Sequence, residues 1–203
     1  MQRLIRETAV AAPIEGRNID TDQIIPARFL KFDRSGGYGQ FLFHDLRFTP
    51  DGVERPDFIL NRPPFRGARI LVADDNFGCG SSREGAAYAL RDFGVRAIIA
   101  PSFGDIFYNN CLKNALIPVR LPEDVVTRVR RDLMAEPGLE ITVDLDNQSV
   151  VLPDGSRHDL KIDAFWRECI MKGLDEVALT LSYMPQIERF EEAYLKEAAW
   201  IDR

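Results

Sequence analysis

The stretch ARILVADDNFGCGSSREGAAYALRDFGVRAIIA, residues 68–100, decides the fold of this chain. It contains a short β-branched run at 68–73, a turn rich in glycine and serine, and a second β-branched run at 95–100. Between the turn and the second run, apolar side chains recur at helical spacing. A strand, a helix and a second strand in this order predict a βαβ unit, and therefore an α/β fold with a mixed, largely parallel sheet.

The helix of this unit is predicted over 83–93. Its residues Ala86, Leu90 and Phe93 follow a 3.6-residue period, and Gly94 comes next, where a left-handed C-cap belongs. The alternation of strands and helices continues downstream. It predicts a helix at 103–114 with Phe103, Ile106, Phe107 and Cys111 on its inner face, a strand at 116–119, a helix beyond Pro122, a hairpin around 146–148, and three C-terminal helices opened by Asp163, Asp175 and Pro185.

The length of 203 residues corresponds to a little over one domain, at the usual ~150 residues per domain. We expect one domain over 1–203, with a long loop at about 28–64 and a helical region at 163–203. The loop combines many aromatic residues with glycine, proline and charges but shows no sustained period. Loops of more than ~12–15 residues in a compact domain are usually functional, so we expect this one to fold over a substrate or a partner.

The charge balance excludes two classes of partner. Twenty-six basic residues stand against 32 acidic ones, which leaves a formal net charge of −6. No long-range field therefore favours nucleic acid or an anionic membrane. An anionic substrate would need a local positive site.

The apolar runs and the cysteines exclude two further classes. No run approaches the ~20 apolar residues that cross a bilayer, and the first residues lack a signal-like apolar core, so we expect a cytoplasmic protein. The three cysteines, Cys79, Cys111 and Cys169, are odd in number and widely separated. They predict neither a disulfide framework nor a metal site within this chain.

The strongest local motif is NFGCGSSREG at 76–85. Ser81 and Glu84 have the spacing of a capping box, with Ser81 at the N-cap of the following helix. The rest of the motif points to more than a cap. Gly78 and Gly80 free the backbone for close approach, while backbone N–H groups, serine hydroxyls and Arg83 together form an anion site at the positive end of a helix.

The motif matches neither of two common nucleotide-binding motifs. The order of glycines and the lysine of a phosphate loop are missing, and the third glycine of a dinucleotide fingerprint is absent. A carboxylate therefore fits the motif better than a nucleotide does.

Residues 76–119 resemble the swivel domain of the aconitase superfamily, and they are closest to the small-subunit family of 3-isopropylmalate dehydratase. The runs NIDTDQIIPARFLK at 18–31 and GLDEVALTL at 173–181 extend this resemblance over nearly the whole chain. It implies a three-layer β/β/α swivel domain with additional C-terminal helices. It also implies a partner, a large subunit that carries a four-iron, four-sulfur cluster, in a heterodimer or a dimer of heterodimers.

The resemblance assigns roles to individual residues. The first serine of the motif, Ser81, is implied to be the catalytic base, and Ser82 and Arg83 are implied to hold a substrate carboxylate. Phe29 and Leu30 fall in the loop that meets the variable side chain of the substrate. Asp22 matches an aspartate near the mouth of the active site, although a turn formed by residues 20–22 explains it equally well.

The implied reaction interconverts 2-isopropylmalate and 3-isopropylmalate in leucine biosynthesis, by removing water and adding it back through an alkene. Two alternatives remain open. One is a sister hydro-lyase that acts on homoaconitate, citraconate or methylmalate, and the apolar Leu30 favours isopropylmalate only weakly over these substrates. The other is a non-catalytic anion-binding module of the same fold, which would not need the complete set of Ser81, Ser82 and Arg83.

Overall fold

The protein forms a seven-stranded sheet with helices and long connections packed against it. A computed structural model describes residues 1–198 and residue 200. The strands stand in the order β4-β3-β2-β1-β5-β6-β7. They are β1 (Arg6–Pro13), β2 (Ile70–Val72), β3 (Ala97–Ala100), β4 (Ile117–Arg120), β5 (Glu140–Asp144), β6 (Ser149–Val151) and β7 (Arg157–Asp159).

Eight α-helices and five short 3-10 turns occur in the described residues. The helices are α1 (Thr21–Ile24), α2 (His44–Arg47), α3 (Glu84–Phe93), α4 (Asp105–Lys113), α5 (Glu123–Ala135), α6 (Ala164–Lys172), α7 (Glu176–Ser182) and α8 (Met184–Glu197). The 3-10 turns are Ala27–Phe29, Arg34–Gly36, Gly39–Phe41, Ile59–Asn61 and Phe65–Gly67.

Strand β1 joins the parallel and antiparallel parts of the sheet. Its first half, Arg6–Val10, pairs with β5 in antiparallel register. Its second half, Ala11–Pro13, pairs with β2 in parallel register. Strands β2, β3 and β4 continue in parallel, whereas β5, β6 and β7 continue in antiparallel. The sheet is mixed as expected, but half of its pairings are antiparallel, so the expectation of a largely parallel sheet holds only for β1 to β4.

Two hydrophobic cores lie on opposite faces of the parallel strands. Alternate residues of β2 separate them: Leu71 belongs to the core under α3, whereas Ile70 and Val72 belong to the other. The second core also contains Val143 of β5, Val150 of β6 and the inner face of α5 with Val126, Val129 and Leu133. Helices packed on a mixed sheet agree with the α/β fold class that the motifs predict and that the family resemblance implies.

The segment 28–64 contains short helical turns and no regular strand, as its sequence indicates. Leu42, Phe43 and Leu60 are fully buried and belong to the core under α3. The segment therefore hides much of its apolar surface against its own domain. Whether it also covers a substrate or a partner stays a prediction.

Most helix ends lie where the sequence predicts them. Gly94 ends α3 with a φ of 116°, and the side chain of Asp163 caps α6. Asp175 caps α7, and Pro185 lies in the first turn of α8. The inner face predicted for α4 is wrong at one position, because Ile106 is 50% exposed.

The end of the predicted C-terminal helical region, at 199 and 201–203, lies outside the described residues. Among the described helices, none is long and apolar enough to cross a membrane.

Candidate functional site

The motif loop connects β2 to α3 at the carboxyl edge of the parallel strands. The segment 18–21 runs beside it and holds it by several hydrogen bonds, three of which involve Ile19 and Thr21. The N–H of Gly78 donates to the carbonyl of Ile19 (2.7 Å), and the N–H of Thr21 donates to the carbonyl of Cys79 (2.9 Å). The hydroxyl of Thr21, a buried side chain, donates to the carbonyl of Ser81 (3.0 Å). The N-terminal segment thus fixes the backbone of the motif.

The predicted capping box at the motif is wrong. Helix α3 begins at Glu84, and Arg83 occupies the N-cap position without a side-chain capping bond. The N–H of Arg83 instead donates to the carbonyl of Ser81 (2.8 Å), which also accepts from Thr21. These bonds hold Ser81 in the loop, two residues before the N-cap. The carboxylate of Glu84 accepts from the amide of Asn114 (3.0 Å) instead of capping α3.

The hydroxyls of Ser81 and Ser82 are free to meet a ligand. Both residues are exposed, and neither hydroxyl takes part in a hydrogen bond within the described part of the chain. Since a capping role no longer accounts for Ser81, its hydroxyl has no structural partner. The two serines therefore present donor and acceptor groups on the surface directly beside Arg83.

An ion pair joins Arg83 to Asp22, two residues that lie 61 positions apart in the chain. The carboxylate of Asp22 also accepts from the N–H of Ala27 (2.9 Å). This backbone hydrogen bond and the Arg83 guanidinium lower the pKa of Asp22 below its ordinary value. Asp22 therefore lies in the candidate site, where its charge orients the Arg83 side chain.

The two apolar candidates take different positions. Leu30 packs against the first turn of α3, because a Cβ added to Gly85 would lie 2.4 Å from a methyl group of Leu30. Phe29 stacks on Phe41 with ring centroids 4.4 Å apart, and the ring of His44 lies at 4.6 Å. Leu30 is therefore adjacent to the motif, whereas Phe29 belongs to an aromatic cluster of the 28–64 segment.

The thiol of Cys79 does not have the properties of a reactive cysteine. Its Sγ donates to the carbonyl of Asn18 at 3.4 Å. Burial raises its pKa above the ordinary value, whereas reactive cysteines have a lowered pKa. Cys79 is a packing residue of the motif.

Comparison with known proteins places the chain in a family. A family model described as the aconitase C-terminal domain matches residues 1–124, and one described as LeuD_N matches residues 128–164. The 3-isopropylmalate dehydratase small subunit of Cereibacter sphaeroides is 47% identical over 201 residues, which cover 99% of this chain and 100% of that protein. The one of Gluconacetobacter diazotrophicus is 46% identical, covering 100% of this chain and 98% of its own. The chain belongs to the family of 3-isopropylmalate dehydratase small subunits.

A solved structure supports the same placement. The crystal structure of a 3-isopropylmalate dehydratase protein, LeuD, from Methanocaldococcus jannaschii has a TM-score of 0.65 and 26% identity with this chain. The similarity covers 91% of this chain and 99% of the other. The aconitase-like fold expected from the motifs is therefore confirmed along the length of a dehydratase small subunit.

Sequence analysis missed two contacts that support the motif loop, one between Asn18 and Asn76 and one between Gly78 and Phe107. Asn18 and Asn76 both adopt a left-handed backbone, with φ of 57° and 58°, and the amide of Asn76 donates to the side-chain oxygen of Asn18 (2.8 Å). Gly78 packs so closely that an added Cβ would lie 2.2 Å from the ring of Phe107. The available signal was the residue type, since asparagine and glycine are the residues that adopt positive φ most easily.

Metal ligands do not gather in the described part of the chain, where no group of three or more His, Cys, Asp or Glu side chains is placed to hold a metal ion. Neither histidine belongs to the motif. His44 packs in the aromatic cluster beside Asp45 (3.2 Å), and His158 lies on the edge strand β7.

Proposed function

We propose that this chain is the small subunit of a 3-isopropylmalate dehydratase, a hydro-lyase that interconverts 2-isopropylmalate and 3-isopropylmalate in leucine biosynthesis. The observation that carries the proposal is full-length similarity, because relatives of that name are 44–47% identical to this chain along 98–100% of their own length. A cytoplasmic location belongs to the same proposal.

The roles of the motif residues are part of this proposal. Ser81 would act as the base that takes a proton from the carbon next to a substrate carboxylate, and its hydroxyl has no competing hydrogen bond in the described chain. Arg83 and Ser82 would hold that carboxylate. Asp22 would act through Arg83, because the ion pair fixes the direction of the guanidinium fork. Arginine forks match carboxylate geometry with two parallel hydrogen bonds.

The proton transfer needs surroundings that this chain does not provide by itself. A serine hydroxyl is a poor base at its free pKa, so its alkoxide must be stabilised by fixed donors in a site from which water is excluded. Ser81 and Ser82 are exposed. We therefore propose that a second subunit covers the motif and completes the site.

The second subunit is proposed to be a large subunit that carries a four-iron, four-sulfur cluster. When bound there, the cluster would supply a Lewis acid for the leaving hydroxyl. The cysteines of this chain are poorly suited to hold such a cluster, since Cys111 and Cys169 are buried in separate helices and Cys79 lies in the motif loop. This chain would contribute the base and the carboxylate site, and the partner would contribute the iron.

Substrate preference is proposed to depend on Leu30. It packs on Gly85, two residues beyond Arg83, and is partly exposed. An apolar side chain at this distance from the carboxylate site suits an alkyl branch better than a third carboxylate, because an unpaired charge against an alkyl group is costly. Phe29 supports the segment that carries Leu30 through its stacking on Phe41.

Reconstitution tests the proposed function. The chain would be combined with a cluster-loaded large subunit under anaerobic conditions and assayed with 3-isopropylmalate, homoaconitate, citraconate and methylmalate. We expect the highest kcat/KM with 3-isopropylmalate. A higher kcat/KM with another acid would favour a sister hydro-lyase, and complex formation without turnover of any of them would favour a non-catalytic module.

A further inference from the structure

A strongly basic pocket lies at the end of the sheet opposite the motif. It has a volume of 460 Å³ and opens where β1, β2 and β3 begin. Glu7 is the one acidic residue among its lining residues. The pocket is lined by five arginines: Arg3, Arg6, Arg69, Arg91 and Arg96. This local excess of positive charge contrasts with the formal net charge of −6 of the whole chain.

Ion pairs offset only part of this charge. Arg69 contacts the buried Glu7 at 3.1 Å, and Arg6 lies 4.0 Å from Asp144. Within residues 1–198 and 200, no carboxylate comes within ion-pair distance of Arg3, Arg91 or Arg96.

Hydrogen bonds to neutral groups hold the two inner arginines in place. Arg91 donates to the carbonyl of Asn114 (3.1 Å), and Arg96 donates to the carbonyl of Val95 (3.0 Å). Both guanidinium groups also donate to the same side-chain oxygen of Gln2, at 2.9 and 3.3 Å. The carbonyl contacts give Arg91 a structural role at the end of α4 and Arg96 one at the end of α3. They do not explain why five guanidinium groups line one pocket.

The arginines also repel one another. Burial and the charge of Arg96 lower the pKa of Arg91 to about 10, and burial together with the charge of Arg69 lowers the pKa of Arg96. A group whose charged form is disfavoured in this way gains stability when an anion binds beside it. The pocket therefore has the electrostatic character of an anion site.

We propose that this pocket binds a small polyanion of the phosphate class. Guanidinium forks match the oxygens of phosphate with paired hydrogen bonds, and 460 Å³ lies in the range of about 300–1,000 Å³ usual for small-molecule sites. The lining contains no aromatic side chain on which a nucleotide base could stack, and its apolar members are Leu4 and Ile5. A compact phosphate compound therefore suits the pocket better than a nucleotide.

The pocket is separate from the proposed active site. Arg69 precedes β2 and Arg91 lies in the last turn of α3, whereas the motif follows β2 and precedes α3. Substrate bound at Arg83 would lie at the other end of both elements. Binding to the basic pocket can therefore be measured on the full chain without the large subunit or turnover.

Titration with inorganic pyrophosphate tests the proposal. The full chain would be titrated by calorimetry, and its melting temperature would be followed with pyrophosphate and with sodium chloride of equal ionic strength, because screening alone changes stability. We expect saturable binding and a rise in melting temperature that chloride does not produce. Equal shifts with both salts, or tighter binding of citrate than of pyrophosphate, would overturn the proposal.

Two variants and one control locate the binding. Arg96→Gln is expected to weaken pyrophosphate binding at least tenfold. Arg6→Gln, whose side chain is 63% exposed, is expected to weaken it severalfold without loss of a buried hydrogen bond, and it decides the outcome if Arg96→Gln does not fold. The control Arg131→Gln removes another exposed arginine, on α5, and is expected to bind like the parent. Parent-like binding by Arg6→Gln and Arg96→Gln, or an equal loss in Arg131→Gln, would contradict the assignment.

Discussion

At Ser81, chemistry and stability can be separated by one substitution, because the side chain does not cap α3. We expect Ser81→Ala to change the free energy of unfolding by less than about 0.5 kcal/mol, as for other exposed positions. As the base, Ser81 should contribute ~10²–10⁴ to kcat. The measurements are kcat in the reconstituted enzyme and the melting temperature of the chain.

The control for Ser81 is Ser182→Ala, an exposed serine on α7, which should leave kcat unchanged. Ser81→Asn provides a second test, since asparagine keeps a polar side chain but cannot form an alkoxide. The assignment of Ser81 as base fails if either Ser81 variant retains more than about a tenth of the parent rate, a barrier difference of only ~1.4 kcal/mol.

Asp22 should act on substrate binding through its ion pair with Arg83. In Asp22→Asn the Arg83 guanidinium loses its charged partner. We therefore expect KM to rise severalfold with a smaller change in kcat, which is the pattern seen when an interaction made equally with substrate and transition state is lost. The control Glu54→Gln breaks a comparable exposed pair with Arg66 and should not alter KM. A kcat that falls while KM stays constant would assign Asp22 a different role.

The pH dependence of the Asp22 pair follows from the direction of its pKa shift. Because the pKa of Asp22 is lower in the folded chain than in the unfolded chain, its contribution to stability is present above the unfolded pKa of about 3.9. It is lost as the pH falls through the lower, folded pKa. Across neutral pH the pair stays intact, so a change of KM between pH 6 and 8 should be equal in the parent and in Asp22→Asn.

Leu30→Arg tests the proposed role of Leu30 in substrate preference. The longer, charged side chain would replace the apolar contact beside Gly85. We therefore expect kcat/KM for 3-isopropylmalate to fall by a factor that corresponds to more than ~1–3 kcal/mol of transition-state binding, the usual cost of one badly fitting methylene group. The relative use of acids with a third carboxylate should rise. Leu195→Arg on the exposed face of α8 is the control. Unchanged kcat/KM for both kinds of substrate would place Leu30 away from the substrate.

Among the elements, local sequence signals predict a helix boundary correctly where the capping contact lies within the boundary itself, as at Asp163 and Asp175. Gly94 ends α3 as expected, because a glycine with positive φ needs no distant partner. The start of α3 was misplaced, because the carbonyl of Ser81 is held by Thr21, 60 residues earlier in the chain. The contact between Asp22 and Arg83 could not be predicted from residue spacing either, because the two residues lie 61 positions apart. Capping patterns describe neighbours in sequence, whereas this loop is shaped by a strand-like segment from the N-terminus.

Strand β1, the middle strand of the sheet, escaped prediction for a physical reason. Its residues facing the second core are Glu7, Ala9 and Ala11, which are buried but are neither β-branched nor aromatic. Alanine and glutamate are depleted in strands, so the local signal is weak. Small side chains are tolerated here because β1 is paired on both sides, with β2 and β5.

The packing of the motif loop against α4 leads to a prediction on two glycines. Gly78 and Gly155 have similar positive φ values, 74° and 81°, but a Cβ at Gly78 would strike the Phe107 ring whereas the space around Gly155 is open. Gly155→Ala should cost ~1–2 kcal/mol of backbone strain. Gly78→Ala should cost about 1–3 kcal/mol more for overpacking. Urea unfolding measures both, and equal costs would mean that the loop does not pack on Phe107.

On the scale of the whole molecule, α3 and β2 connect two regions with different charge. The motif end carries Asp22 beside Arg83, two opposite charges that meet in one pair. The opposite end carries five arginines around one buried glutamate. At the first end Asp22 holds the Arg83 guanidinium in one direction, so a substrate carboxylate there would meet an arginine that already has a partner. At the second end no carboxylate of the described chain lies within ion-pair distance of Arg91 or Arg96.

The exposure of the motif leads to the last prediction, that the purified chain is half of an active site. Ser81 and Ser82 lie open to water, where an alkoxide is not stabilised and a carboxylate stays hydrated. The chain alone should therefore show no turnover of 3-isopropylmalate and no iron-sulfur absorption after anaerobic iron and sulfide treatment. Addition of a cluster-loaded large subunit should restore turnover to the parent chain but not to Ser81→Ala, while both form the complex equally well. Turnover by the chain alone would show that it completes the site without a partner, and restored turnover in Ser81→Ala would show that the base comes from the other subunit.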